Sequence, residues 1–462
     1  MLDPNPHHPR HEPEPFLTAL RGAIDAWASQ APPSRLTVAF SGGLDSTVLL
    51  AALRRLDQGV RVRAAHVDHG LHPDAARWSE HCAVTAAALG AEFSSVRVEV
   101  DRASGQGLEA ASRDVRYRAL AGLLEPGEWL LTAHHADDQL ETLLLRLLRG
   151  SGVRGMRGII AFGPFGVGAL ARPLLPFTRA ELHAQALAWG LTWLEDPSNR
   201  EARHDRNHLR LNVLPKLLER WPAAARHAER LAEQMNEAEQ MLEAVAAEDA
   251  RPLEAPWCLP RAVLEGLEPA RQRNLLRYLL RRVELGVPSA QKIDELRHAL
   301  LASRSESHPL LRWPGGEGRV FRQDLHLMAP LPAASAPDYV ARLAAGRSWS
   351  GPEGAVALVP ADGPDGLPES WLDGGLTLRF RGGGERFRPR GRGHHHSLKD
   401  LFQEAGVVPW MRSRMPLLYR GDTLVAVGDL WVAADVEATP VSEPRWRIEW
   451  TRHPPVRAPG PS

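Results

Sequence analysis

The sequence predicts a parallel-sheet α/β domain first, a mainly helical region second and a small α+β domain at the carboxyl end. Three observations carry this. Between about 35 and 195, short apolar runs alternate with longer stretches at helical spacing, the rhythm of βαβ units. From Leu214 to Glu248 apolar residues recur at helical spacing, with one break at Pro222. From about 371 to 450, alternating strands return around one helix-like segment, LKDLFQEAGV.

In chain order, the candidate strands of the first region are LTVAF, RVRAAHV, FSSVRVEV, EWLLTA and LTWLE. The helices between them include SEHCAVTAAAL, LEAASRDVRYRALAGLL and ADDQLETLLLRLLRG. PARQRNLLRYLLRRVEL and PSAQKIDELRHALLAS continue the helical region, and a small β piece, GRVFRQDLHLMAP, closes it. LTLRFR, TLVAVGDLWV and RWRIEW supply the last strands. The expected boundaries are a disordered arm at 1–15, a nucleotide-binding domain at 16–215 and a helical middle domain at 216–335. A Pro/Gly-rich linker at 336–370, a basic domain at 371–450 and a disordered tail at 451–462 complete the chain.

A chain of 462 residues holds two to four domains. No apolar run reaches membrane-spanning length, and the start, MLDPNPHHPRHEPEP, has no apolar core of a secretion signal. Cys82 and Cys258 are the only cysteines, too far apart for a CxxC pair. A soluble cytoplasmic protein without a membrane partner is expected. Net charge is zero, but only three residues, Lys216, Lys292 and Lys399, are lysine, so local arginine clusters must carry any affinity for polyanions.

The sharpest motif is SGGLDS, residues 41–46, between a strand and a helix. It lacks the lysine of a Walker loop. Its glycines let the backbone approach an anion, Ser41 and Ser46 can donate to phosphate oxygens, and the helix behind offers its positive end. A plain glycine turn capped by Asp45 or Ser46 is the alternative. SGGxDS after a first strand resembles the PP-loop ATP pyrophosphatase family, whose members split ATP to AMP and pyrophosphate and adenylate a substrate oxygen. The resemblance implies ATP with Mg²⁺ as substrate. It assigns Ser41, Gly42, Gly43, Leu44, Asp45, Ser46 and His66 to ATP, with Asp45 orienting substrate or Mg²⁺.

Four further segments narrow the resemblance. In AAHVDHGLHPDA, His66, Asp68, His69 and His72 cluster, but strand alternation turns neighbours to opposite faces, and no metal site is assigned. GLEAASRDVRYRAL puts Glu109, Arg113, Arg116 and Tyr117 on a helix, where Glu109–Arg113 could be no more than a solvated pair. TAHHADDQLETLLLRLLRGSGVRGM sets His134, Asp137, Asp138 and Glu141 at a helix start, before a mobile basic loop. A capping box of Asp138 with Glu141 could coexist with function there. EDPSNREARHDRNHLRLNVLPKL supplies Arg206, Asn207 and Arg210. HVDHGL, EAxxRxxRY and DPSN…RNxLRxxVLP resemble the tRNA(Ile)-lysidine synthetases. LKDLFQEAGVVPWMRSRMPLL resembles that family's C-terminal core, behind Arg379, Arg381, Arg386, Arg388, Arg390 and Arg392, which face one local acid, Glu385. His394, His395 and His396 stand where relatives carry more lysine.

The resemblance implies a ligase that joins L-lysine to the wobble cytidine of an isoleucine tRNA with a CAU anticodon, through an adenylated base. Asp45, Arg113, Asp137 and Arg206 are then the catalytic candidates. His134, Asp137, Asp138 and Glu141 would hold lysine, and Arg386, Arg388, Arg390, Arg392 and Lys399 would contact tRNA. Oligomeric state stays open, with a homodimer among the options. A tRNA thiolase on the same loop and a non-catalytic RNA-binding protein are the alternatives. Thiolation needs a sulfur-carrying cysteine or an iron–sulfur cluster, and the two cysteines lack that spacing.

Overall fold

The computed structural model describes residues 14–56, 59–68, 75–99, 108–195, 205–303, 308–336, 338–361, 366–440 and 442–459, without side chains at 108–111. The chain divides into two compact units, Met1–Met241 and Leu242–Ser462.

The first unit runs α1 (Pro15–Ala28), β1 (Leu36–Ala39), α2 (Leu44–Leu56), β2 (Val62–Asp68), α3 (Ala75–Ala88), β3 (Glu92–Arg97), α4 (Leu108–Leu123) and β4 (Trp129–Leu131). It continues with α5 (Ala136–Leu148), α6 (Val153–Met156), β5 (Phe162–Phe165), β6 (Gly168–Ala171), α7 (Arg179–Ala188), α8 (Asp205–His208), α9 (Leu214–Arg220) and α10 (Ala224–Asp249), which runs on past the unit boundary. The strands form one sheet in the order β3-β2-β1-β4-β6-β5. All pairs are parallel except β5 with β6. Helices cover both faces, which is why β1 and β4 are apolar almost throughout. Leu20 and Ile24 of α1, Val48, Leu49 and Leu53 of α2 and Leu182 of α7 share one core with Val38 and Leu131. Leu120 and Leu124 pack with Ala65, Leu130 and Leu170 in a second.

LTWLE is not a strand. After Gly190 its apolar side chains, Leu191 and Trp193, pack against the core, while the Leu194 N–H donates to Gly42 O at 2.9 Å. The strand beside β4 is β6, a four-residue GALA that the sequence reading did not pick out. The basic loop after α5 is tied down. Gln139 accepts from the Ile159 N–H at 2.6 Å and donates to its carbonyl at 3.1 Å, and Arg146 donates to Gly155 O and Gly158 O.

In the second unit, β7 (Cys258–Pro260), α11 (Arg261–Glu265), α12 (Pro269–Arg282), α13 (Ala290–Ala302), β8 (Leu310–Trp313), β9 (Gly316–Phe321) and β10 (Asp324–Met328) follow. Three helices pack on a four-stranded antiparallel sheet ordered β7-β10-β9-β8, around Leu275, Leu279, Ile293 and Leu325. The carboxyl end contains β11 (Val340–Leu343), β12 (Ser348–Gly351), β13 (Gly354–Ala361), β14 (Leu367–Pro368), β15 (Leu376–Arg379), β16 (Arg386–Phe387), β17 (His396–Ser397) and α14 (Leu398–Glu404). It ends with α15 (Pro409–Arg412), β18 (Leu417–Arg420), β19 (Thr423–Val427), β20 (Trp431–Val432) and β21 (Arg445–Thr451).

Two expected boundaries need correction. The segment read as a linker, 336–370, holds four strands. β13 pairs with β21 across seven residues, and Leu343, Val356, Leu358 and Leu367 are buried in the same core as Phe402 and Trp450. Its prolines and glycines mark hairpin turns between short strands. The tail is partly built in: β21 ends at Thr451, and Val456 O accepts from the Val408 N–H at 3.0 Å. Of the arm expected at 1–15, residues 1–13 lie outside the described residues, and Pro15 already opens α1. No helix among the described residues is long and apolar enough to cross a membrane.

Candidate active site

β1 lies between β2 and β4, so the loops leaving the carboxyl ends of β1 and β4 are neighbours. Ligands of open α/β sheets sit in such a crevice. The loop after β1 is SGGLDS. Gly42 has φ +75°, which a side chain would strain, and a Cβ there would meet Cys82 Sγ at 2.9 Å. The Ser41 N–H donates to Ser46 Oγ at 3.3 Å, the Gly43 N–H to Ser41 Oγ at 3.4 Å, and Ser46 Oγ to Gly43 O at 3.1 Å. These bonds curl the loop over the amino end of α2. Leu44 opens that helix with its side chain in the core, so it can offer a ligand only its backbone. His66, buried at the end of β2, braces the loop's entry: Nδ1 lies 2.9 Å from Phe40 O and 3.6 Å from Cys82 Sγ. His69 and His72 lie outside the described residues.

Asp45, in the first turn of α2, faces the turn after β4. Its Oδ2 is 3.8 Å from His135 Nε2, while its Oδ1 is buried with no hydrogen-bond partner among the described residues. Burial pushes its pKa up, against the pull of His135 and Arg179. An oxygen so placed fits a hard cation travelling with a nucleotide.

α5 begins with the acid cluster. The cap pairs Asp138 with His135, whose N–H donates to Asp138 Oδ2 at 3.1 Å; this replaces the expected pairing with Glu141. Asp138 and Glu141 instead face two arginines. Arg206 Nε donates to Glu141 Oε2 at 2.9 Å and Nη2 to Asp138 Oδ1 at 3.2 Å. Arg210 Nε donates to Glu141 Oε1 at 2.6 Å and Nη2 to Asp138 Oδ1 at 3.0 Å. Positions 206 and 210 share a helical face, and a π-turn at Leu209–Val213 lies between α8 and α9. Burial would raise the Asp138 pKa, but His135 and both arginines bring it down to about 2. The charges of these two acids are therefore already matched. Asp137 is different: its Oδ2 accepts from the Arg179 N–H at 2.8 Å and stands 3.5 Å from His135 Nδ1, with no arginine side chain on it among the described residues. Burial lowers the His135 pKa, but Asp138, Asp137 and Asp45 outweigh it and raise it overall.

His134 is opposite in character. It bonds Thr132 Oγ1 at 2.8 Å, and burial, with Arg172, Arg113 and Arg206 nearby, pushes its pKa down to about 3 despite Asp138. The folded protein binds this proton only below about 3, whereas an unfolded histidine binds it below 6.5. Stability should therefore fall as pH drops through that interval. Replacing His134 by Gln is expected to flatten the fall in melting temperature over this range, and parallel profiles for both proteins would refute the assignment.

Arg113, on α4, lies 5.4 Å from the Tyr117 ring and within electrostatic reach of His134, Arg146 and Arg172. Glu109 has no described side chain. Arg172, which the sequence reading missed, follows β6 directly. Burial and Arg113 lower its pKa, while Tyr117 hydrogen-bonds it. Its one sequence signal is its place, at the carboxyl end of a strand in ARPLL. Arg113, Arg146, Arg157 and Arg172 thus repel one another beside the crevice, an arrangement that suits a polyanion.

In the carboxyl-terminal region the arginine row is more neutral than the sequence suggests. Arg388 pairs with Asp435, Arg390 Nε with Glu437 at 3.7 Å and Arg392 Nη1 with Glu404 at 3.0 Å. Arg386 is exposed and donates to His395 O at 3.1 Å. Arg386 and Lys399 have no acid at ion-pairing distance among the described residues. The His394 and His396 rings lie 5.1 Å apart.

A parallel sheet whose first strand empties into SGGLDS, beside an acid- and histidine-rich turn, defines a PP-loop nucleotide-binding protein, and the profile described as a PP-loop domain matches residues 17–217. Two others follow: "TilS substrate binding domain" at 259–326 and "TilS substrate C-terminal domain" at 376–450. The chain belongs to the tRNA(Ile)-lysidine synthase family. It is 43% identical over 427 residues to the tRNA(Ile)-lysidine synthase of Alkalilimnicola ehrlichii, covering 88% of this chain and 92% of that one. To the enzyme of the same name from Methylococcus capsulatus it is 39% identical over 436 residues, covering 91% and 98%. The Pseudomonas aeruginosa enzyme is 40% identical over 450 residues, covering 92% and 94%.

Proposed function

We propose that this protein ligates lysine to the wobble cytidine of the CAU-anticodon isoleucine tRNA, in the cytoplasm, consuming ATP to AMP and pyrophosphate. The observation that carries the reading is the meeting of the phosphate loop with the acid–histidine turn, Asp45 Oδ2 lying 3.8 Å from His135 Nε2. The cytosine carbonyl oxygen attacks the α-phosphate and pyrophosphate leaves. The lysine side-chain amine then forms a carbon–nitrogen bond to the base as AMP departs, and the product pairs with A instead of G.

Each step gathers negative charge on phosphate, so N–H donors and cations aimed there dominate. Ser41, Gly42, Gly43 and Ser46 cradle the pyrophosphate, with the Leu44 N–H and the α2 dipole behind them. Asp45 serves Mg²⁺ brought with ATP. Arg113, with Arg172, serves the phosphate in transfer. Arg206 acts as part of its ion-paired network, which fixes the helix start against α5. Among the four residues expected to hold lysine, Asp137 is best suited to the ammonium, because Asp138 and Glu141 already hold Arg206 and Arg210. His134, uncharged at neutral pH, orients by accepting or donating a hydrogen bond and is too weakly basic to take the lysine proton. Both cysteines are buried, which speaks against a sulfur carrier.

The test is mass spectrometry of nucleosides from an isoleucine tRNA transcript incubated with protein, ATP and lysine. Lysidine should replace one cytidine; unchanged cytidine, or sulfur in the product, would overturn the reading. For the carboxyl-terminal region, Arg386→Ala and Lys399→Ala should each lower the log–log salt slope of tRNA binding by about 0.7–0.9. An unaltered slope in the double variant would remove this surface from the tRNA contact.

A further inference from the structure

The second unit holds a group of metal-ligating side chains that nucleotide and tRNA chemistry do not use. In the antiparallel pair of β7 and β10, Cys258 stands directly opposite His326. Asp324 lies two residues before His326 on the same strand, hence on the same face of the sheet. Leu325 and Leu327 turn the other way, into the core with Leu275 and Ile293. One ligand atom from each of Cys258, Asp324 and His326 lies within 4.8 Å of the other two. No hydrogen bond joins them, although such groups rarely stay unpaired inside a protein. His326 is 1% exposed and its Nε2 is buried with no partner among the described residues; Cys258 is 3% exposed. Trp410 lies edge-on at 5.0 Å from the His326 ring and Trp257 at 6.0 Å, walling the group with apolar surface.

We propose that Cys258, Asp324 and His326 form a structural site for a divalent transition metal of the zinc class, completed by one water. A thiol with an imidazole selects such ions over Mg²⁺ or Ca²⁺. Metal–ligand bonds of about 2.0–2.3 Å in a tetrahedron put ligand atoms roughly 3.3–3.7 Å apart, so side-chain rotations of about 1 Å close the site. On binding, the Cys258 S–H bond breaks, sulfur bonds the metal in place of a water ligand, and the proton passes to bulk water. The benefit is local. β7 is a three-residue edge strand held to the sheet only through β10, and the metal would clamp it there.

Full-length protein without an affinity tag, stripped by chelator, would be titrated with Co²⁺ and followed by absorption. One equivalent should produce a thiolate-to-cobalt charge-transfer band that Zn²⁺ abolishes. The band should disappear in Cys258→Ser and His326→Gln, weaken in Asp324→Asn and persist in Cys82→Ser. Cobalt on His394, His395 and His396 gives no thiolate band, so it cannot imitate this signal. Zn²⁺ should also raise the melting temperature of the parent protein but not of Cys258→Ser. No thiolate band in the parent protein, or an undiminished one in Cys258→Ser, would overturn the site. If Cys258→Ser does not fold, the parent titration and His326→Gln decide the matter.

Discussion

Gly43→Val is expected to abolish ATP–pyrophosphate exchange while the protein melts at its normal temperature. The choice of glycine matters. At Gly42 a Cβ would fall 2.9 Å from Cys82 Sγ on a backbone with φ +75°, so a loss of activity there would be confounded with damage to the fold. Gly43 has no such strain: a Cβ meets Ser41 Oγ at 3.4 Å and Leu194 O at 3.9 Å, both ordinary contacts. A Cβ at 43 therefore meets no clash, while the branched carbons of valine stand where a pyrophosphate must approach the backbone. Retained exchange and nucleotide affinity in a folded variant would refute the cradle.

Arg113→Ala should lower the rate of lysidine formation by roughly 10²–10³ if the guanidinium meets charge that develops on phosphate. Stability should change little, since its packing contact is the cation–π approach to Tyr117 at 5.4 Å. Arg113→Lys should recover only part of the rate, because an ammonium lacks the planar fork. The structure gives this prediction more support than helical spacing could. Arg113 is close enough to His134 to help keep it neutral and close enough to Arg172 to lower its pKa, so it faces the crevice end of the sheet. A two- or three-fold effect would return Arg113 to the role of a surface cation.

Much of the catalytic unit was legible in its sequence. β1 to β4 and α2, α4 and α5 follow from apolar periodicity, and the phosphate loop follows from two glycines and two serines at a strand–helix junction. LTWLE shows the limit. Alternation says that side chains face opposite ways, but not whether the backbone finds a strand to pair with, and Leu194 finds only Gly42 O. The proline- and glycine-rich stretch before 370 fails for a related reason. Its composition suits a linker and a set of tight hairpins equally, and only the pairing of β13 with β21, some ninety residues on, separates the two.

The sequence by itself determined the fold class and the strand–loop–helix setting of SGGLDS, because helix period, strand alternation and turn chemistry act over a few neighbouring residues; the family came through the resemblance of its motifs. Only the tertiary structure decided which charges are spent and which are free. Asp138 and Glu141 read as open acids until Arg206 and Arg210 arrive from 65 to 72 positions away. Arg388, Arg390 and Arg392 read as a bare cationic row until Asp435, Glu437 and Glu404 fold onto them. Coulomb energy falls with distance through space and is indifferent to distance along the chain, so a one-dimensional reading can find charges but cannot pair them.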